Sequence, residues 1–406
     1  MLSYEEALGV VLSRVKALPA VTLALAAASG KVLAAPTYSR WDLPPADNSA
    51  MDGYAFAWAN QPAGAELLVS GFLPAGATQG ETVAAGAAVK IMTGAPLPAG
   101  CDSVVPIEEV EELGGRIRFS AAPVQGEHVR YRGEELRRDE LLLEAGTALR
   151  SGEIGLLAAA GVTEVSVHPA PTVAVLTTGD ELVELGAAPG PGQIVNSNLP
   201  LLAARLQELG CNVVSLGIAP DHKPGLSALI DQGLAADLLI TTGGVSVGDR
   251  DLVQEVLLEK GFERGFWKVA IKPGKPVLFG TVGGKPVFGL PGNPAATAAT
   301  FELFANPALR LLAGFTDPLP PRLRVTLAEG VKGGVKRQRF LWGALQELEG
   351  RYRFHINGSQ GSGQNRSLPR SQALLPVPAG EAGLAAGSEV EVLLLRLPPG
   401  ITPAAL

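Results

Sequence analysis

The spacing of apolar positions changes character along the chain. In residues 4–15, Ala7, Leu8, Val11, Leu12 and Val15 recur at helical spacing behind Ser3, with Glu6 three residues later. That pattern predicts an amphipathic helix opened by a capping box and stopped by Pro19. Residues 21–38 read as strand-like, and Leu43-Pro44-Pro45 breaks any regular element. Short β-branched runs at 66–71, 82–92, 103–110 and 116–119, set between Gly and Pro turns, predict a small β domain over 46–135. A short helical stretch at 154–160 beside a strand predicts that 136–167 pairs with the N-terminal segment. The β domain is then an insertion.

From residue 171 apolar strands alternate with amphipathic helices. Strands are predicted at 172–176, 213–218, 237–241 and 266–271, and helices at 199–209, 226–234 and 252–260. Runs at 276–279 and 286–290 around Gly283-Gly284 predict a hairpin-like pair, and a long helix at 295–312 buries Phe301, Phe304, Leu309 and Leu312. This order predicts a doubly wound, mostly parallel sheet with helices on both faces. Pro318, Pro320 and Pro321 mark a linker to a final domain of short strands. The fold class expected is multidomain α/β and β. An elongated N-terminal domain takes 1–45 with 136–170, the inserted β domain 46–135, the α/β domain 171–317, and a C-terminal β-barrel-like domain 318–406.

Composition narrows the functional classes. Among 406 residues, 47% hydrophobic and 18% charged, the chain holds Gly 50 and Pro 32, which fits several turn-rich domains and excludes a fibre or coiled coil. The net charge of −7 argues against nucleic acid or an anionic membrane as partner, so any anion must be held by a local patch. Cys101 and Cys211 alone build neither a disulfide framework nor a zinc site, and a reducing cytoplasm is expected. Glu5 and Glu6 stand where a secretory signal carries basic residues, and no apolar run reaches membrane-spanning length.

Three loops leave predicted strands for predicted helices: Thr177-Thr178-Gly179-Asp180-Glu181, the segment 241–251 with Gly243, Gly244 and Ser246, and Leu290-Pro291-Gly292-Asn293-Pro294. Glycine lets backbone N–H groups approach an anion, and such loops lie where open α/β sheets bind ligands. Between Arg264 and Phe301 stand five cations (Arg264, Lys268, Lys272, Lys275, Lys285) and no Asp or Glu. Lys272-Pro273-Gly274-Lys275-Pro276 sets two ammonium groups on a stiffened turn suited to a compact oxyanion. Asp52, Asp180, Glu181, Asp221, Asp249 and Asp251 lie in loop contexts, and carboxylates near a phosphate imply a bridging Mg²⁺, with helix capping as the plainer reading. His128, His168, His222 and His355 lack ligand spacing, and neither a P-loop nor a dinucleotide fingerprint is present.

Taken together, SAMDGYA (49–55), IMTGAP (91–96), TTGDEL (177–182), NSN (196–198), TTGGVSVGDRD (241–251), WKVAIKPGKP (267–276) and GLPGNP (289–294) resemble the molybdopterin molybdenumtransferase family, whose module also forms the gephyrin E domain. The resemblance implies the last step of molybdenum cofactor synthesis. Adenylylated molybdopterin is hydrolysed, molybdate enters the dithiolene and AMP leaves. It further implies Mg²⁺, with Zn²⁺ as the alternative, and a homodimer whose inserted β domain faces the α/β domain of the other subunit. The pterin adenylyltransferase is a further partner to test. On this resemblance Asp52, Thr93, Glu181, Lys268, Lys272 and Lys275 are catalytic positions, and Asp221 and Asp251 hold the metal. Thr178, Gly179, Asp180, Gly243, Gly244, Ser246, Pro291, Gly292, Asn293, Pro294 and Arg337 bind substrate.

The chain departs from the family pattern at Glu135, where an Asp is expected, and at Arg339 and Trp342 in the stretch Arg337-Gln338-Arg339-Phe340-Leu341-Trp342. The serine turn Gly361-Ser362-Gly363-Gln364-Asn365-Arg366-Ser367 leaves the molybdate-contacting serine open. Alternative readings are a gephyrin-like scaffold without catalysis, a pterin adenylyltransferase, and insertion of tungstate in place of molybdate.

Overall fold

A computed structural model describes residues 1–78, 82–220, 222–244, 252–334, 336–380 and 382–397. By density of contacts it forms two units, one of residues 22–29 with 33–167, the other of 1–21, 30–32 and 168–406.

The unit centred on the inserted segment is built on a six-stranded sheet in the order Ser103–Pro106, Gly53–Phe56, Ala87–Ile91, Glu66–Leu73, Arg116–Phe119, Val110–Glu112. Side-chain alternation supplies a core on each face. Ala55, Val89 and Ile91 go to one, and Tyr54, Phe56, Ala88 and Phe119 to the other. The run predicted at 82–92 is strand only over Ala87–Ile91, because a turn at Gly86 (φ 80°) precedes it. Beside this sheet, Glu164–His168 lies between Val21–Ala24 and Val32–Leu33, so the segments flanking the insertion do pair. The strand-like stretch at 21–38 is interrupted by a 3₁₀ turn, Leu25–Ala27, that buries Leu25. The predicted helix forms over Ser151–Ala159.

The other unit opens with the helix Tyr4–Arg14, whose Ser3 and Glu6 make the reciprocal capping box. Its main sheet runs Asn212–Ala219, Thr172–Thr178, Leu238–Thr242, Lys285–Leu290, Leu278–Val282, Glu263–Trp267. The first four strands are parallel and the last two antiparallel. Alternate residues sort to opposite faces. Val173, Val175, Ile240 and Phe288 meet the helices Asn198–Glu208 and Asn306–Leu312, while Ala174, Leu176, Leu239 and Val287 meet Lys223–Leu234 and Leu252–Glu259. Burying a Phe such as Phe288 or Phe304 is worth roughly 1.5–3 kcal/mol each, so this double core dominates the unit's stability.

Two predicted elements change on folding. The strand expected at 266–271 splits into Glu263–Trp267 and Ile271–Lys272, because Lys268 takes a left-handed conformation (φ 69°) and Ala270 N–H donates to Leu2 O. The long helix spans Pro294–Thr300 and Asn306–Leu312 with a π-helical turn, Phe301–Ala305, between them.

Beyond the linker, Gln338–Leu348, Arg351–Ile356, Arg322–Leu327, Glu389–Leu394 and Ala373–Val377 close into a five-stranded barrel through pairing of the last strand with the first. Ile271–Lys272 adds to it in parallel, Lys272 opposite Arg339. Trp342 is 4% exposed and belongs with Phe340 to the core shared with the α/β sheet. The aromatic side chain at this departing position fills hydrophobic space.

Candidate functional site

The parallel strands change direction of progression between Thr172–Thr178 and Leu238–Thr242, and the crevice beyond their carboxyl ends is where such sheets take ligands. A cleft of ≈ 300 Å³ opens there, lined by Thr178, Gly179, Asp180, Glu181, Gly243 and Gly244 with Ala219, Pro220 and Leu226. Local chemistry fixes its floor. Buried Thr177 donates through Oγ1 to Gly217 O (3.0 Å) and accepts from Asn196 Nδ2 (2.8 Å). Gly243 sits at φ 82°, where a Cβ would stand 2.3 Å from Thr178 O, so only glycine lets the two loops touch. The Glu181 carboxylate folds over Gly179, its Oε2 2.6 Å from where a Cβ would be.

A second cleft, of ≈ 470 Å³, shares Glu181 with the first and is bordered by Asn196, Asn198, Pro276, Pro291, Gly292, Asn293, Pro294, Gly363 and Asn365. Pro291-Gly292-Asn293 leads into the helix at Pro294, with proline at its first position. Thr297 Oγ1 donates to Pro291 O (2.5 Å), Asn198 Nδ2 to Gly292 O (2.7 Å), and Ala295 N to Ser362 O (3.1 Å). Asn293 Nδ2 reaches Ser362 Oγ at 3.3 Å, which brings the serine turn of the barrel to this cleft.

The basic turn borders the same cleft through Pro276. Val269 N–H donates to Lys275 O (3.0 Å), and Gly274 (φ 100°) would place a Cβ 2.2 Å from Thr300 Cγ2, so glycine is required for the turn to lie on the helix. Lys272 and Lys275 are exposed. Lys268 Nζ lies 3.6 Å from the centroid of the Trp267 ring, a cation–π contact that holds it beside its neighbour. Arg337 is not brought to either cleft. Its Nη1 donates to Ile271 O (2.9 Å), bracing the strand that carries Lys272, and it lines a separate cleft with Ser3, Tyr4 and Lys336.

In the other unit SAMDGYA and IMTGAP come together. Asp52 Oδ1 accepts from Thr93 N and from Thr93 Oγ1, each at 2.7 Å, and these two bonds hold its carboxyl below the usual value. Gly53 is required beside it, because a Cβ would meet Val105 O at 1.9 Å. The remaining predicted positions Asp221, Ser246, Asp249 and Asp251 lie outside the described residues. Burial pushes the Cys101 thiol up to about 12 and that of Cys211 to about 11, so neither supplies a thiolate. Asn198, Gly363 and Asn365 line the second cleft without having been assigned a role from sequence. The NSN motif was the available signal for the first, and the serine turn for the others.

Comparison with known proteins accounts for these features across the chain. Residues 2–161 match the MoeA N-terminal region (domain I and II), 174–311 a probable molybdopterin binding domain, and 324–395 the MoeA C-terminal region (domain IV). A molybdopterin molybdenumtransferase of Nostoc sp. is 38% identical, over 92% of this chain and 87% of that protein. One from Haemophilus influenzae is 36% identical, over 91% and 92%. The crystal structure of a molybdopterin biosynthesis MoeA protein from Pyrococcus horikoshii superposes with a TM-score of 0.82 at 32% identity, covering 98% of this chain and 99% of that one. The fold, the paired clefts and these relatives agree: the chain belongs to the molybdopterin molybdenumtransferase family of enzymes, with a role in molybdenum cofactor biosynthesis.

Proposed function

We propose that the chain catalyses the last step of that pathway. Adenylylated molybdopterin is hydrolysed at its phosphoanhydride, AMP is released, and molybdate is bound at the freed dithiolene. One observation carries the reading: two clefts, one ringed by glycine loops at the sheet's switch point and one beside the basic turn, share a single wall residue, Glu181. Two anionic reactants that repel one another need adjoining, separately lined sites.

The roles follow from charge. In this reading the backbone N–H of Gly244 takes a phosphate at the first cleft, while the Gly243 N–H is held by Leu290 O and the Glu181 carboxylate covers Gly179. Lys272 and Lys275 carry the cationic charge that draws in molybdate, with Asn293 and the Ser362 turn at the same cleft. Lys268 adds positive charge on the same segment. Asp52 and Thr93 act in this reading across a homodimer, contributed by the inserted domain of the second subunit.

The donor set fits Mg²⁺. Asp180 and Glu181 line the phosphate-side cleft, and Mg²⁺ is usually bound through one or two carboxylates plus substrate phosphates and water. In this reading the substrate, Asp221 and Asp251 complete the ligand set. When bound there, Mg²⁺ supplies charge neutralisation at the phosphoanhydride.

The test is incubation of purified protein with adenylylated molybdopterin, Mg²⁺ and molybdate, following AMP. Molybdate-dependent AMP release is expected. A folded protein that releases none contradicts the proposal, and replacing Lys272 or Lys275 with Ala should lower turnover by about tenfold or more.

A further inference from the structure

The NSN motif divides in the structure. Asn196 is fully engaged in the fold, its Nδ2 donating to Thr177 Oγ1 (2.8 Å) and its Oδ1 accepting from Leu199 N (3.4 Å). Asn198 is 7% exposed and lines the larger cleft. Its Nδ2 donates to Gly292 O (2.7 Å), and because that partner is a carbonyl, the orientation of the amide is fixed. The other atom, Oδ1, is a buried acceptor with no hydrogen-bond partner among the described residues. Buried polar atoms are nearly always paired, and an orphan in the wall of a cleft calls for a donor arriving from outside the fold.

The charge pattern of the cleft says which kind of donor. Asn198 and Glu181 both belong to the wall of this cleft, and among the described residues its lining holds no Lys or Arg. Pro276 belongs to the basic turn, whose ammonium groups are those of Lys272 and Lys275. An oxyanion is repelled by an acceptor and attracted by cations. A 2-amino-4-oxopyrimidine ring has N–H groups along one edge, and that edge matches an orphan acceptor.

We propose that Asn198 is a specificity-determining residue that reads the 2-amino edge of the pterin ring and so fixes how the ring lies in the larger cleft. The inference rests on the pterin-binding part of the proposed function and is independent of the chemistry that follows binding. Asn198 touches no phosphate and no molybdate in this arrangement, so its contribution is orientation and choice of ring.

Fluorescence titration of the full-length protein with pterin and with lumazine, which carries oxygen in place of the 2-amino group, tests it. The wild type is expected to prefer pterin by about tenfold, the value of one buried hydrogen bond. Asn198→Ala should abolish that preference by weakening pterin alone. Asn198→Ser keeps a hydroxyl for Gly292 O but has no atom at the Oδ1 position, so it separates recognition from bracing of the loop and should lose the preference too. Equal weakening of both ligands, or a preference that survives both substitutions, overturns the proposal. Failure of the wild type to bind either ring overturns it at the level of the pterin reading beneath it. Absence of AMP release with the preference intact counts only against the reaction.

Discussion

At the scale of single residues, Asp52 offers a direct measurement. Its Oδ1 accepts two bonds from Thr93, first the backbone N–H and then the hydroxyl, and the carboxyl is held below its ordinary 3.8. A carboxyl held low in the folded state contributes stability that is present above 3.8 and is lost as pH falls through the lower folded value. A ¹³C titration of the Asp52 carboxyl is expected to show a midpoint below 3.8, and Thr93→Val should move it part of the way back, because the amide bond remains. An unmoved midpoint would show that the hydroxyl contributes nothing. Pairing of Asp52 with Thr93 is also the part of the site that sequence carried only as two motifs. Forty residues separate them, and nothing in either turn announces the other. Asn198 is a sharper case, since the motif was visible but an unpaired Oδ1 exists only once Gly292 has taken the other half of the amide.

At the scale of elements, periodicity read the sheet well because burial on two faces imposes it. Val173 and Val175 face one core and Ala174 and Leu176 the other, as a strand covered on both sides requires. Periodicity failed where a contact distant in sequence decides the backbone. Lys268 ends a strand that its apolar neighbours would continue, since Ala270 N–H is claimed by Leu2 O. The buried ion pair is similarly invisible from local pattern. Arg205 Nε and Nη2 donate to Glu302 at 2.6 and 3.2 Å, and Asn306 Nδ2 donates to the same carboxylate at 2.9 Å. Both side chains lie within the core; Arg205 Nη1 also donates to Glu208 (2.8 Å), so it is loss of Arg205 that strands a charge, the Glu302 carboxylate. Arg205→Met is expected to cost about 3–5 kcal/mol by denaturant unfolding, whereas Arg205→Met with Glu302→Leu should be nearly neutral. Equal losses in the two proteins would mean that packing, not charge, sets the cost. Gly53→Ala belongs to the same scale. Its Cβ would meet Val105 O at 1.9 Å, so the sheet beside Asp52 must open, and a loss of about 3 kcal/mol or more is expected in the same assay.

At the scale of the whole molecule, the proposed homodimer makes a prediction that no single substitution can. If Asp52 of one subunit serves the lysines of the other, Asp52→Asn and Lys272→Ala proteins, each strongly impaired alone, should reach about a quarter of wild-type AMP release when mixed and reassembled, since half the dimers then hold one intact site. No recovery on mixing would place the full site within one chain. The order of element types was legible because the period of the hydrophobic pattern changes along the chain, from mixed to short β runs to alternating strand and helix. Closure of the last domain into a barrel was only partly legible, because the pairing of Ala373–Val377 with Gln338–Leu348 is a matter of register between distant strands.

One pairing couples domains that sequence separates. Ile271–Lys272 is encoded among the strands of the α/β sheet yet is hydrogen-bonded to the barrel, and Arg337 secures it there. The spacing of the two ammonium groups is therefore inherited from a domain encoded downstream of them. On the proposed function, substitutions in the barrel that slide its first strand by one residue would retune oxyanion selectivity while leaving every lysine in place.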